Sequence, residues 1–326
     1  MKKVRYLIGL CVLILATTNA QFQKETIAFE SANPFSLRDV IKDLDKQEKQ
    51  MVFGQMTIPV DSLQPDKKYP LIIGVAGSMG WRQHHLDYME MYQDNGFATF
   101  ELNSFKSRDV TSTVGSQVEV TIATIILDAY RALDALSKHP NIDADRIAIT
   151  GWSLGGGVTL FSGWQPVLKA LGQQHRFAAH LAFYPPCFVN PTDLGFTQAP
   201  MHILIGEADD WTPAAPCQKL VERLAVNKTN IDMTVYPDAH HGFDSETPVQ
   251  QNDKGYSFKD CLFELTTDGD ILMNYLRLPM SNPWLQKLGF LFCVERGVSI
   301  GGNPDAREQS FPFALKFMQE TLQPNR

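Results

Sequence analysis

The chain has 326 residues, 44% of them hydrophobic, enough to bury one large core, and its 20% of charged residues are spread too evenly to mark a disordered region. Its formal net charge of −7, about −10 if Lys2, Lys3 and Arg5 leave with the leader described next, argues against nucleic acid or an anionic membrane surface as a partner. One catalytic domain with insertions, acting on a neutral or cationic small-molecule or oligomeric substrate, is the expected organisation.

Residues 1–20 read as a secretory signal peptide: a basic start, an apolar run at 6–16, then small or polar residues ending at Ala20. A membrane span needs about 20 apolar residues, roughly twice this run, so cleavage after Ala20 and an exported chain, periplasmic or secreted, without stable membrane insertion are expected. Cys11 lies inside the run, so no cysteine stands at the cleavage site for lipid attachment. The remaining cysteines, Cys187, Cys217, Cys261 and Cys293, are even in number, which in an exported chain favours two disulfides. None has the short paired spacing of a zinc site.

Residues 21–50 are polar and charged apart from a stretch near Ile27, and are expected to form an N-terminal extension with a first edge strand. From 51 to 60, Val52, Gly54, Met56 and Ile58 alternate as in a strand; a turn follows at 65–70, and the continuous apolar run at 71–75 suits a buried parallel strand. The unit then repeats: a strand at 97–102, helical periodicity at 118–137, and strands at 146–150, 178–183, 201–205 and 231–236. Strands alternating with helices predict an α/β fold, a doubly wound, mostly parallel sheet with helices on both faces, over residues 51–326. Reactive residues are then expected beyond the carboxyl ends of strands.

The strand at 146–150 runs into Gly151-Trp152-Ser153-Leu154-Gly155-Gly156-Gly157, a Gly-x-Ser-x-Gly elbow in the strand-to-helix setting such a nucleophile requires. A hydroxyl is a weak nucleophile at neutral pH; it needs an imidazole to take its proton and a carboxylate to orient that imidazole. Both follow, in the order Ser, Asp, His and each after a strand: Gly206-Glu207-Ala208-Asp209-Asp210-Trp211-Thr212-Pro213, then Pro237-Asp238-Ala239-His240-His241-Gly242-Phe243. Asp209 is favoured over Asp210, which reads as a cap or surface charge before Pro213. His241 is favoured over His240, because Gly242 allows a tight turn that aims the ring inward.

Two N–H donors must hold the oxyanion. Leu154, directly after the nucleophile, supplies one; Ser78, in the glycine-rich loop Ala76-Gly77-Ser78-Met79-Gly80-Trp81, is expected to supply the other, with Met79 as the neighbouring candidate. Trp152 and Trp211 flank the nucleophile and the acid and are candidates for an apolar substrate pocket, or else core aromatics. His84-His85 with Asp87 and Glu90 read as a solvated helix face rather than metal ligands, and Asn227-Lys228-Thr229 fits a glycosylation acceptor. With no phosphate loop, dinucleotide fingerprint or closed ligand set, no cofactor and no metal are expected.

These motifs, with softer support from Gly96-Phe97-Ala98, Asn103-Ser104-Phe105, Arg108 and Tyr184-Pro185-Pro186-Cys187, resemble the dienelactone hydrolase family of α/β-hydrolases over roughly residues 50–245. The resemblance implies that fold and a Ser153–His241–Asp209 triad. It does not carry over lactone hydrolysis, since the namesake enzymes use a cysteine nucleophile, and Ala76-Gly77 stands where many relatives have His-Gly. A serine carboxylic-ester hydrolase is the expected function. Polyester hydrolases and peptidases share such elbows, whereas a non-catalytic binding protein of this fold would have lost a triad member.

Cys187 and Cys217, just past two consecutive strands, are expected to pair and brace the acid loop. Residues 244–303 break the strand–helix rhythm. A loop this long, about sixty residues, is usually functional or disordered, and Leu272, Met273, Tyr275, Leu276, Leu278, Trp284, Leu285, Leu288 and residues 290–292 carry too much apolar surface to leave solvated. Cys261 and Cys293 are candidates for closing it into a flap beside the site. Asn303-Pro304 then reads as the N-cap and first residue of the final helix.

Overall fold

The computed structural model describes residues 21–60, 64–172 and 174–323; the leader expected at 1–20 lies outside them. In chain order the strands are β1 (Gln21–Ala32), β2 (Lys49–Val60), β3 (Tyr69–Val75), β4 (Ala98–Leu102), β5 (Ile142–Trp152), β6 (His180–Phe183), the short β7 (Val189–Pro191), β8 (Met201–Gly206) and β9 (Ile231–Tyr236). All but β7 join one sheet in the order β1-β2-β4-β3-β5-β6-β8-β9. β1 and β2 are antiparallel at one edge, and from β4 to β9 every neighbour is parallel. The stretch ahead of residue 50 thus carries an edge strand paired along its whole length with β2.

The helices are α1 (Leu37–Lys42), α2 (Gln83–Asp94), α3 (Ile122–Leu136), α4 (Leu154–Phe161), α5 (Gln165–Leu171), α6 (Ala214–Val226), α7 (Pro283–Phe290) and α8 (Pro304–Leu322). Every residue of β3 is buried, as a parallel strand covered on both faces must be. α3 begins at Thr121, whose hydroxyl accepts the Thr124 N–H, and α8 begins at Asn303, whose side chain caps Ala306 with Pro304 in the first turn. Behind β4, the Arg108 guanidinium forks onto buried Asp128 (2.7 and 3.0 Å) and also reaches the Asn33 side chain and the carbonyls of Ala32 and Ser104. With every donor direction used inside the fold, this buried pair ties the loop after β4 to α3 and to the end of β1.

Residues 244–303 form an ordered layer of β10 (Gln250–Ser257), β11 (Phe263–Leu265), β12 (Ile271–Leu272), α7 and β13 (Glu295–Ile300). β10 pairs antiparallel with β13, while β11 runs parallel to β7 and so docks the layer onto the main body. Arg38 of α1 pairs with Asp270 at 2.9 Å, and disulfides join Cys261 to Cys293 and Cys187 to Cys217. The expectation that its apolar residues are buried holds only in part: Met273 is buried, Leu272, Leu285, Leu288 and Phe290 partly so, but Tyr275, Leu276, Leu278, Trp284, Leu291 and Phe292 are exposed. One short helix over two- and three-stranded sheets encloses too little volume to cover them all. No helix among the described residues is long and apolar enough to cross a membrane.

Two histidines inside the body give stability an acid limb. Burial pushes His180, bonded to the Thr159 carbonyl (2.9 Å), and His202, bonded to Thr234 Oγ1 (2.9 Å), down to about 4. Both are neutral when folded, whereas the unfolded chain takes up their protons below about pH 6.5. Their stabilising contribution is therefore complete above that pH and is lost as pH falls toward 4. Urea unfolding between pH 7 and 4.5 should show this decline, and His202→Phe should reduce its slope by about one proton; an unchanged slope would assign the acid limb to other groups.

Candidate active site

Four loops at the carboxyl ends of β3, β5, β8 and β9 converge on one point. Ser153 occupies the turn between β5 and α4 at φ 58°, ψ −113°, a conformation that costs energy for any residue with a Cβ. The turn is this sharp because its neighbours nearly touch: a Cβ on Gly155 would lie 2.1 Å from the Val75 carbonyl oxygen. The loops after β8 and β9 are equally close, since a Cβ on Gly206 would lie 2.0 Å from the Ala239 carbonyl oxygen. That contact brings the acid loop against the histidine loop.

The resulting geometry is a continuous relay. The carboxylate of Asp209 accepts from His241 Nδ1 at 2.8 Å, which leaves Nε2 to accept from Ser153 Oγ at 2.9 Å. Asp209 and His241 are buried; Ser153 is partly open. The second carboxylate oxygen of Asp209 accepts the N–H groups of Trp211 (2.9 Å) and Thr212 (2.8 Å), so the turn fixes the carboxylate before it meets the imidazole. Asp210 points elsewhere: its side chain accepts the Ser299 N–H (2.8 Å) and its carbonyl accepts from Ser257 Oγ, which fastens β10 and β13 to the acid loop. His240 does not join the relay, and its buried Nδ1 has no partner among the described residues.

The other expected residues separate. Leu154 opens α4, so its N–H has no intrahelical acceptor. Gly77 lies against Trp152 and Ser153, which places Ser78 beside the nucleophile, where it borders the same cavities. The Ser78 carbonyl accepts from Thr113 N–H (2.9 Å) and its hydroxyl lies 3.2 Å from Gln117 Nε2. Trp211 lines the site, its ring 4.8 Å from that of His241, and Met79 lines its polar side.

Trp152, a candidate for the pocket, is instead fully buried and stacks on Phe183 and His85. The reason is alternation: at the end of β5 its side chain is carried to the sheet face covered by α2, among His85, Tyr88 and Phe183. His84 and His85 are likewise not a solvated face. His85 is buried, which holds its pKa well below the usual value, and His84 is largely covered beside Asp244; only Glu90 faces solvent as expected, while Asp87 pairs with Arg307 at 2.8 Å.

Residues 60–259 match the family model of the dienelactone hydrolase family. The chain belongs to the dienelactone hydrolase family. Individual proteins match at low identity. The "Probable dipeptidyl-aminopeptidase B" of Uncinocarpus reesii is 27% identical over 229 residues, 57% of this chain but only 24% of that relative, so the chain spans about a quarter of its length. The "Putative carboxymethylenebutenolidase" of Methylorubrum extorquens is 24% identical over 216 residues, 60% of this chain and 74% of that one. A dienelactone hydrolase-like promiscuous phosphotriesterase from metagenomic libraries superposes with TM-score 0.56 at 14% identity over 91% of this chain and 98% of that one, a likeness of fold. This dienelactone hydrolase family member thus has the α/β-hydrolase fold.

Three residues of the site escaped sequence reasoning. Thr212 Oγ1 lies 3.1 Å from both His241 Nδ1 and Asp209 Oδ2, and 3.0 Å from the Tyr184 carbonyl. Tyr184, at the end of β6 with φ 38°, packs its ring 4.6 Å from the imidazole. Fully buried Asp244 accepts from Tyr184 OH (3.0 Å) and Trp152 Nε1 (3.1 Å), tying the ring behind the histidine to the strand that carries the nucleophile. The position of Tyr184 just past a strand end was the one signal available.

Proposed function

We propose that this protein is an exported serine hydrolase that cleaves a carboxylic ester through an acyl-enzyme. His241 Nε2 takes the proton of Ser153 Oγ as it attacks the ester carbonyl, and Asp209 holds Nδ1–H and stabilises the imidazolium. The N–H groups of Leu154 and Ser78 hold the oxyanion; His241 then protonates the leaving oxygen, and water releases the acid. The observation that carries this reading is the relay of 2.9 and 2.8 Å ending on a serine in a strained turn. Export is supported by the leader pattern and by the two disulfides. No nucleic-acid partner is proposed for a chain of this acidity.

A panel of 4-nitrophenyl esters of increasing acyl length is the test. Saturable hydrolysis with a pre-steady-state burst is expected on at least one member. Absence of turnover on every ester, alongside cleavage of a peptide anilide, would move the function to amide hydrolysis; absence of both would favour a binding role.

A further inference from the structure

Two cavities meet at Ser153, and their chemistry differs. The first, about 130 Å³, is walled by rings, among them Phe161, Phe188, Phe258, Phe263 and Phe290. The second, about 780 Å³, is bordered by the amides of Gln250, Gln251 and Asn252 and by Arg82, Asp253 and Lys254. Ser153, Ser78 and Trp211 border both, Leu154 only the first, and His241 only the second. Residues from the 244–303 layer supply selective walls to each.

Proton transfer assigns the cavities to the two halves of an ester. In the acylation step the bond from Ser153 Oγ to the carbonyl carbon forms, the bond from that carbon to the alcohol oxygen breaks, and the proton held on His241 Nε2 goes to the departing oxygen. The alcohol half must therefore lie on the histidine side, in the polar cavity. The acyl half extends past Leu154 into the apolar one. Resting on the esterase reading, we infer that the substrate joins a bulky, ring-sized apolar acyl group to a hydrophilic, polyhydroxylated alcohol. Aromatic walls favour edge and stacked contacts with another ring. Amides flanked by charges of both signs offer donors and acceptors without selecting a net charge, which suits neutral hydroxyls.

Four esters and the full chain test this. The first is methyl 6-O-benzoyl-glucoside, the second hexyl benzoate, the third the inverted ester benzyl gluconate, and the fourth 4-nitrophenyl acetate as a measure of the esterase chemistry itself. The benzoyl glucoside should exceed benzyl gluconate in kcat/KM by about a hundredfold and hexyl benzoate by about tenfold. Ile271→Trp, which narrows the apolar cavity, should lower hydrolysis of the benzoyl glucoside relative to 4-nitrophenyl acetate by about tenfold, with circular dichroism as the check on folding. Equal or reversed preference between benzoyl glucoside and benzyl gluconate, with 4-nitrophenyl acetate still hydrolysed, would overturn the assignment and leave the esterase reading standing. Parity with hexyl benzoate would overturn the polyhydroxylated alcohol. Hydrolysis of none of the four would overturn both readings, and an Ile271→Trp variant that does not fold leaves the wild-type comparison to decide.

Discussion

Ser153→Ala should lower kcat for ester hydrolysis by about 10⁵- to 10⁶-fold, while leaving the protein folded. The hydroxyl is the only group lost, and it sits at the end of a relay whose other members do not attack the carbonyl carbon: His241, 2.9 Å from Ser153 Oγ, only carries the proton, and Asp209 is buried behind the imidazole. Removing the hydroxyl also relieves no backbone strain, since alanine keeps the Cβ at φ 58°, so Tm should change little. What activity remains would come from the oxyanion donors and substrate binding alone. Loss of less than about tenfold, with wild-type KM, would mean that another group attacks.

Asp209→Asn should cost roughly 10⁴-fold in kcat, against less than about tenfold for Asp210→Asn. The carboxylate of Asp209 keeps the His241 proton on Nδ1 and offsets the imidazolium charge; an amide there permits the wrong tautomer and offers no charge. Among the described residues no hydrogen bond joins Asp210 to the histidine, and an asparagine still offers the oxygen that accepts the Ser299 N–H. The two substitutions are neighbours in sequence and chemically identical, so steady-state kinetics on both separates orientation of the base from a general effect on charge. Equal losses would show that the loop, rather than one carboxylate, carries the effect.

Much of this was legible before any coordinates because it depends on short-range order. The elbow at 151–155, the Ser-Asp-His order and the apolar runs of β3, β5 and β8 each reside in a handful of consecutive residues, and the preference for Asp209 rests on Asp210 standing close before Pro213. What was not legible depends on contacts between distant segments. Thr212 reaches the Tyr184 carbonyl across 28 residues and Trp152 reaches Asp244 across 92, so neither has a local pattern. Sequence leaves Trp152 open between pocket and core because adjacency to Ser153 says nothing of which face of β5 its ring is carried to; the ring lies in the core. The walls of the apolar cavity depend on β11 finding β7 in parallel register, with Phe263 opposite Val189. Nothing in residues 244–303 announces that pairing, nor that eight of their large apolar side chains stay in solvent.

The central claim, that Ser153 is the nucleophile, is tested most directly by treating the full chain with a fluorophosphonate and locating the adduct by peptide mass spectrometry. A single modification on Ser153, absent from Ser153→Ala and strongly slowed in His241→Ala, is the expected result. An adduct on a different serine, or undiminished labelling of the Ser153→Ala variant, would contradict it.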